Sequence, residues 1–348
     1  MLNPTDCIIK DFDTTWYKKW AQLMSLPNAK HPKFWEMAAI CEALESRGCL
    51  KDGSVGLGMG VGSEPLASVF ASLGSKVLAT DQDPSSQSAK KWDNGQLAKN
   101  ASSFFYSEIV DRKKFNKLVS YEPYDMNDYN KDYQNKFDYI WHDCVIGHLG
   151  SMNNSIKQLE RSSKYLKPGG WLVFTTELNI SSFEKTIYEN SDTIIWRAQD
   201  LQQLFIDLLE VGLVADNVRL RLGKHRSDKR INYNFQSNIA GSNSDLLNDP
   251  DYSEIKIPFS NFAITQVLLC FQKVEDINNI TDKIAQIRKD SKKNQKIIEK
   301  HIKLNRDLDA YFKHFSDSDY QNAVMKPIKK EIEISMEKNT EGILELDF

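Results

Sequence analysis

The sequence contains no Cys-x-x-Cys pair; its five cysteines, Cys7, Cys41, Cys49, Cys144 and Cys270, are odd in number and scattered. Such spacing suggests neither a disulfide framework nor a zinc site, so no metal is expected and the thiols read as reduced and mostly buried. No apolar run approaches the length that a bilayer demands, and Met1-Leu2-Asn3-Pro4-Thr5-Asp6 lacks a basic segment leading into an apolar one. A cytoplasmic protein without a transmembrane segment is the expectation. An excess of positive charge is missing too: 45 Lys and Arg stand against 48 Asp and Glu, a formal net charge of -3. That balance provides no basic footprint for nucleic acid. Internal repeats are absent. What remains, 41 % hydrophobic and 27 % charged residues in a chain of 348, is ordinary for a globular protein with ample length for a core.

Glycine is sparse, 16 in all, yet Gly56, Gly58, Gly60 and Gly62 fall at alternate positions in "SVGLGMGVGSEPLASVFASLGSKVLATDQDP", residues 54 to 84. Two physical demands could place them there. A tight strand-to-helix turn needs positive φ, which glycine adopts cheaply. A ligand lying against the turn needs Cβ atoms out of the way and the amides of the following helix N-terminus exposed. Apolar Val55 and Leu57 precede the turn, Leu66, Ala67, Val69, Phe70 and Leu73 follow at helical spacing, and Lys76 to Thr80 reads as a second strand. This β-α-β unit ends in Asp81, roughly 20 residues beyond the glycines, where nucleotide-binding α/β proteins place a carboxylate for the ribose hydroxyls. A nucleoside-containing ligand is expected.

The alternation of strands and helices continues. Residues 1–48 read as a helical cap, with Phe34, Met37, Ala38, Cys41 and Leu44 on one helical face. "SSQSAKKWDNGQLAKN" reads as helix, "NKLVSYEPYDMNDYN" and "KFDYIWHDCVIGHLGS" as strands with exit loops. A helix then ends at Pro168-Gly169-Gly170, and Trp171 to Thr176 forms the fifth strand. A further helix and strand follow in "RAQDLQQLFIDLLEVGLVADNVRLRL", and the polar stretch 223–258 reads as a long loop suited to substrate recognition. "NFAITQVLLCFQKV" is the last strand, closing a domain at 49–274. Residues 275–348 form a helical extension with a broken heptad pattern, a place for self-association into a homo-oligomer or for a solvated helix.

The glycine-rich turn, Asp81, Asp125-Met126 after the third strand, and "LKPGGWLVFTTE" together resemble class I S-adenosylmethionine-dependent methyltransferases over about residues 30 to 274. Within that class the text is similar to a little-characterised bacterial group reading "LGFGVGTEPL", "EHLGS", "LKPGG" and "TTEFN"; here the counterparts are "LGMGVGSEPL", "GHLGS", "LKPGG" and "TTELN". The resemblance implies a Rossmann-like α/β sheet with an N-terminal helical cap and a C-terminal helical extension. It also implies S-adenosylmethionine as cofactor and a small-molecule or glycan acceptor, through O-methylation of a saccharide or sugar-linked metabolite in surface-glycan biosynthesis. A nicotinamide-dependent dehydrogenase would share the glycine turn and the ribose carboxylate but not "LKPGG" or the long final strand. A non-catalytic S-adenosylmethionine-binding scaffold is the other alternative.

Each residue carried over has a chemical task. Gly58, Gly60 and Gly62 would let backbone approach the methionine and ribose parts of the cofactor, and Asp81 would accept both ribose hydroxyls. Asp125 would accept the adenine amine, with a turn residue as its alternative role; Met126 would donate its amide and cover the purine. Many members carry an acid at the position of Gly56 to hold the methionine amine. Glu64 is the candidate replacement, unless it is a surface carboxylate favoured by the helix dipole. The loop after the fourth strand is expected to hold His142, Asp143 and His148 as candidate catalytic residues, with Glu177 and Asn179 nearby. Imidazole suits the role of general base, because its unperturbed pKa is about 6.5. His148 could instead pack on the cofactor, and His142 could bond a neighbouring loop. The group's Glu before this His is Gly147 here.

Overall fold

The computed structural model describes residues 1–86, 89–92, 96–181, 187–189, 193–221, 223–229, 253, 255–259 and 262–313. The central sheet has the strand order β3-β2-β1-β4-β5-β10-β8, built from β1 (Val55–Met59), β2 (Lys76–Asp81), β3 (Val119–Pro123), β4 (Phe137–Asp143), β5 (Leu166–Asn179), β8 (Leu213–Ala215) and β10 (Phe262–Lys273). The pairs from β3 to β5 are parallel, and β10 runs antiparallel to both β5 and β8. The short β9 (Ile257–Phe259) extends β10, while β6 (Ile187–Glu189) and β7 (Thr193–Ile195) form a separate hairpin absent from the sequence reading. This is the Rossmann-like α/β sheet that the resemblance implies.

Helices cover both faces, which is why the central strands are apolar throughout. On one side, α1 (Thr15–Leu23), α2 (Pro32–Ser46), α3 (Leu66–Ser72) and α4 (Arg112–Leu118) supply a core that includes Trp20, Trp35, Phe70 and Phe104. On the other, α5 (Met152–Tyr165) and α6 (Ala198–Glu210) cover Leu57, Ile140, Phe174 and Leu269. The C-terminal helix Ile280–Lys313 packs against α6 and buries Ile298 and Ile302 in that second core. The expected helical segments at both ends are thus present. The amino-terminal residues do more than cap: Asp6 bridges to Val267, and Thr5 and Cys7 bond the backbone of Leu268 and Gln266.

Three local expectations need correction. Residues 85–100 do not form one helix: a 3-10 turn spans Ala89–Trp92, and the Ala98 amide is committed to the Asp81 carboxylate at 3.0 Å instead of to a helical carbonyl. Pro168-Gly169-Gly170 does not separate helix from strand; α5 stops at Tyr165 and these residues bulge from β5, with Gly169 at φ 78°. His142 and Asp143 do not lie in a loop, because β4 runs through both. Most of the polar 223–258 stretch and everything beyond 313 lie outside the described residues. Among the described residues, no helix is long and apolar enough to cross a membrane.

Candidate active site

The four alternating glycines have separate causes. In β1, a Cβ at Gly56 would overlap the ring of Tyr139 and one at Gly58 the ring of Trp141, both from the neighbouring β4. Past the strand, Gly60 and Gly62 have φ of 63° and 53°, and a Cβ there would come within 2.7 Å of Val145 and 2.5 Å of the Gln96 carbonyl oxygen. Packing and turn geometry therefore require glycine at all four positions, which is the structural demand of the two weighed from sequence.

Asp81 ends β2 beside this turn and is buried at 7 % exposure. Its Oδ2 accepts the amides of Gly62 and Ala98, each at 3.0 Å, and its Oδ1 accepts that of Gln82 at 2.8 Å. Burial pushes its carboxyl above the usual range while the three amides act against that rise. Gln82 contributes a buried Oε1 with no hydrogen bond. After β3, Asp125 Oδ1 accepts the Asn127 amide at 2.8 Å, an Asx turn that presents Met126, whose side chain is buried in the α5–α6 core and whose carbonyl accepts from Arg161 at 3.0 Å.

At the C-terminal ends of β4 and β5 a polar cluster forms under α2. Lys33 Nζ lies 3.0 Å from Glu64 Oε1 and 3.0 Å from Asp143 Oδ2. Thr175 Oγ1 is 2.7 Å from Glu36 Oε2 and 3.2 Å from Asp143 Oδ1, and it accepts the Cys144 amide at 3.1 Å. Cys144 adopts φ 59°, turning the chain sharply out of β4. Burial and then Asp143 lift the Glu36 and Glu64 carboxyls well above their usual range, against Lys33. Burial also presses on Asp143, but Lys33 and hydrogen bonds from Glu64 and Glu36 outweigh it and hold Asp143 low. Burial opposes the Lys33 charge as well, and Asp143 with Glu64 and Glu36 more than compensates, lifting its pKa. Nearby, Glu177 Oε2 is buried without a hydrogen bond.

Sequence reading missed Lys33 and Glu36. It assigned α2 one apolar face, whereas the helix is buried nearly all round, including Pro32, Trp35, Ala39, Ile40 and Ala43. The available signal was the Glu within "KFWEMAAIC", a charge set in apolar text, which is found buried chiefly when partnered.

The two candidate histidines part company. His142 is fully buried inside β4 with its ring 5.8 Å from that of Phe174, and neither ring nitrogen has a hydrogen-bond partner. Burial alone lowers its pKa to about 3. It faces the α5–α6 core, away from the polar cluster, so the expected placement in an acceptor-facing loop is corrected. His148 does sit after β4, in the 3-10 turn Ile146–His148, with Nδ1 3.3 Å from Thr193 Oγ1 of β7. Gly147 has a local cause: a Cβ there would come within 2.8 Å of the Ile194 carbonyl oxygen. Among the described residues, no group of His, Cys, Asp and Glu is arranged to hold a metal ion.

With this geometry in place, comparison with known proteins gives a family model described as AdoMet-dependent proline di-methyltransferase, which matches residues 100–222. No curated protein sequence matches the chain significantly. Similar solved structures include a 1,6-didemethyltoxoflavin-N1-methyltransferase from Burkholderia thailandensis, 11 % identical with a TM-score of 0.41, covering 76 % of this chain and 87 % of that one. Another is phosphoethanolamine N-methyltransferase 2 from Haemonchus contortus, at 16 %, 0.40, 77 % and 60 %. A third is an S-adenosylmethionine-dependent methyltransferase from Mesorhizobium loti, at 13 %, 0.38, 66 % and 96 %. The strand order, the antiparallel β10 and the glycine turn define the class I S-adenosylmethionine-dependent methyltransferase fold. S-adenosylmethionine is the cofactor of that fold. The residues present fit it: a carboxylate at the end of β2, and buried Gln82 Oε1 and Glu64 Oε2 atoms that have no hydrogen bond within the protein.

Proposed function

We propose that the protein transfers a methyl group from S-adenosylmethionine to a small-molecule acceptor held over the C-terminal ends of β4 and β5. The observation that carries this reading is the convergence of the glycine turn, Asp81 and the Lys33–Glu36–Glu64–Asp143 cluster at one edge of the parallel strands. Ligands of open α/β sheets bind at that edge. Gly58, Gly60, Gly62, Asp81, Asp125 and Met126 would hold the nucleoside, and Glu64 the amino-acid end.

When bound, the cofactor supplies an electrophilic methyl group for in-line displacement, so the protein's work is alignment and proton removal. His148 is the base we assign: it follows β4 on the side where the acceptor approaches, and its bond to Thr193 orients the ring. Asp143, whose carboxyl Lys33 holds low at the end of β4, is the next candidate. The motif resemblance supports a saccharide hydroxyl as acceptor, in surface-glycan biosynthesis within the cytoplasm. The matched family model, named for methylation at proline, favours an amine as the second reading. The division at 48 and 274, and self-association through the C-terminal helices, belong to the same proposal.

Thermal stabilisation by S-adenosylmethionine but not NADH tests the cofactor. Labelled-methyl transfer to a panel of activated sugars and small amines then separates the acceptors, and absence of transfer to either leaves the scaffold reading.

A further inference from the structure

Position 56 cannot carry the acid that many methyltransferases use for the methionine amine, because the Tyr139 ring fills the space beside it. The need does not vanish with the residue. An α-amino acid presents an ammonium and a carboxylate on one carbon, and its complement is a carboxylate set beside a cation. Such an arrangement stands beside the glycine turn, two acids around one cation: Glu64 at the end of the turn, Asp143 at the end of β4, and Lys33 in the first turn of α2. Lys33 Nζ sits 3.0 Å from one carboxylate oxygen of each acid, so the two acids already bind an ammonium. The Asp143 side chain is wholly buried, and Glu64 Oε2 is buried without a hydrogen bond. Lys33 is also the cation acting on Glu36, so the cluster holds more acid than base.

We propose that Lys33, Glu64 and Asp143 form the receptor for the amino-acid end of S-adenosylmethionine, Lys33 taking its carboxylate and the two acids its ammonium. This rests on the methyltransferase reading. In the ligand-free protein the Lys33 ammonium stands in for the ligand's own, and its flexible four-carbon stem lets it turn from the acids to the incoming carboxylate. Helix α2 thereby supplies the contact that β1 cannot.

Calorimetry on the full chain tests this with two ligands, S-adenosylhomocysteine and 5′-methylthioadenosine, which share the thioether-linked nucleoside but differ in the amino-acid end. The wild type should bind the first at least about tenfold more tightly. Lys33→Met and, separately, Glu64→Gln should weaken S-adenosylhomocysteine by about tenfold to a hundredfold and leave methylthioadenosine within about twofold. Equal losses for both ligands, or no loss for either, would overturn the receptor and make Lys33 a structural tie. A wild-type ratio near one overturns it without any variant. Failure of the wild type to bind either ligand overturns the methyltransferase reading itself.

Discussion

The amide of Gly62 donates to Oδ2 of Asp81 at 3.0 Å, across 19 positions of sequence. The residue expected to hold a ribose is therefore also the clasp of the glycine turn. Replacing Asp81 by Ala should lower S-adenosylhomocysteine affinity at least tenfold and also destabilise the fold, since three amides lose their acceptor, at a cost of about 1 to 3 kcal/mol each. Asp81→Asn, which keeps one acceptor oxygen, should recover much of the stability but less of the affinity. Calorimetry and thermal melts on both variants check this, and unchanged affinity in Asp81→Ala removes the assignment.

Turnover should depend on His148 and not on His142. General-base assistance contributes roughly 10² to 10⁴ in rate, so His148→Ala should lower single-turnover rates by that order with cofactor affinity nearly intact. His142→Leu should retain turnover, because its ring touches Phe174 in the core. Wild-type rates in His148→Ala would move the base elsewhere, with Asp143 or Glu177 next.

Acid should find the buried histidines. His142 and His301 each have a pKa of about 3 when folded, below the ordinary 6.5, so the unfolded chain takes up protons that the native state refuses. The stability they allow is complete above about pH 6.5 and declines as pH falls, by roughly 2 kcal/mol per histidine at pH 5. Glu36 and Glu64, lifted by burial, act with the opposite sign. Comparing urea unfolding of wild type and His142→Leu at pH 7 and pH 5 isolates one histidine: the variant should lose about 2 kcal/mol less on acidification. Equal losses would mean that the imidazole protonates in place.

Introducing an acid at position 56, where many methyltransferases carry one, should fail. Gly56→Asp drives a side chain into Tyr139, whose hydroxyl is held at 2.7 Å by Ser75, and overpacking of this kind costs typically about 1 to 3 kcal/mol before burial of the charge is added. Soluble yield and melting temperature should both fall, and Tyr139→Ala in the same chain should recover part of the loss. A stable Gly56→Asp protein binding cofactor more tightly would contradict the account of β1.

The β-α-β unit and β10 were legible because their punctuation is local: Gly60 and Gly62 mark a turn, Asp81 a strand end, and the run to Lys273 is long and apolar. The end of β4 was not. Phe137 to Asp143 contains only one partly exposed position, so a strand covered on both faces lacks the period of two that would have shown His142 still inside it. Lys33 and Glu36 were hidden for a related reason. Their partners lie on β4, β5 and the turn after β1, and only the tertiary fold brings a helix from the first fifty residues over those strand ends.

Thr5 and Cys7 find backbone partners in Leu268 and Gln266, and α2 rests on β5 and β10. Synthesis runs from the amino end at about 5 to 20 residues per second, so this segment waits tens of seconds, order of magnitude, for the strand that receives it. Until β10 leaves the ribosome, the helix bearing Lys33 and Glu36 has only part of its seat. A nascent chain thus carries the glycine turn and Asp81 well before the roof over β4 and β5 is fastened. On the receptor proposed for Lys33, Glu64 and Asp143, capture of the cofactor's amino-acid end waits for that last strand.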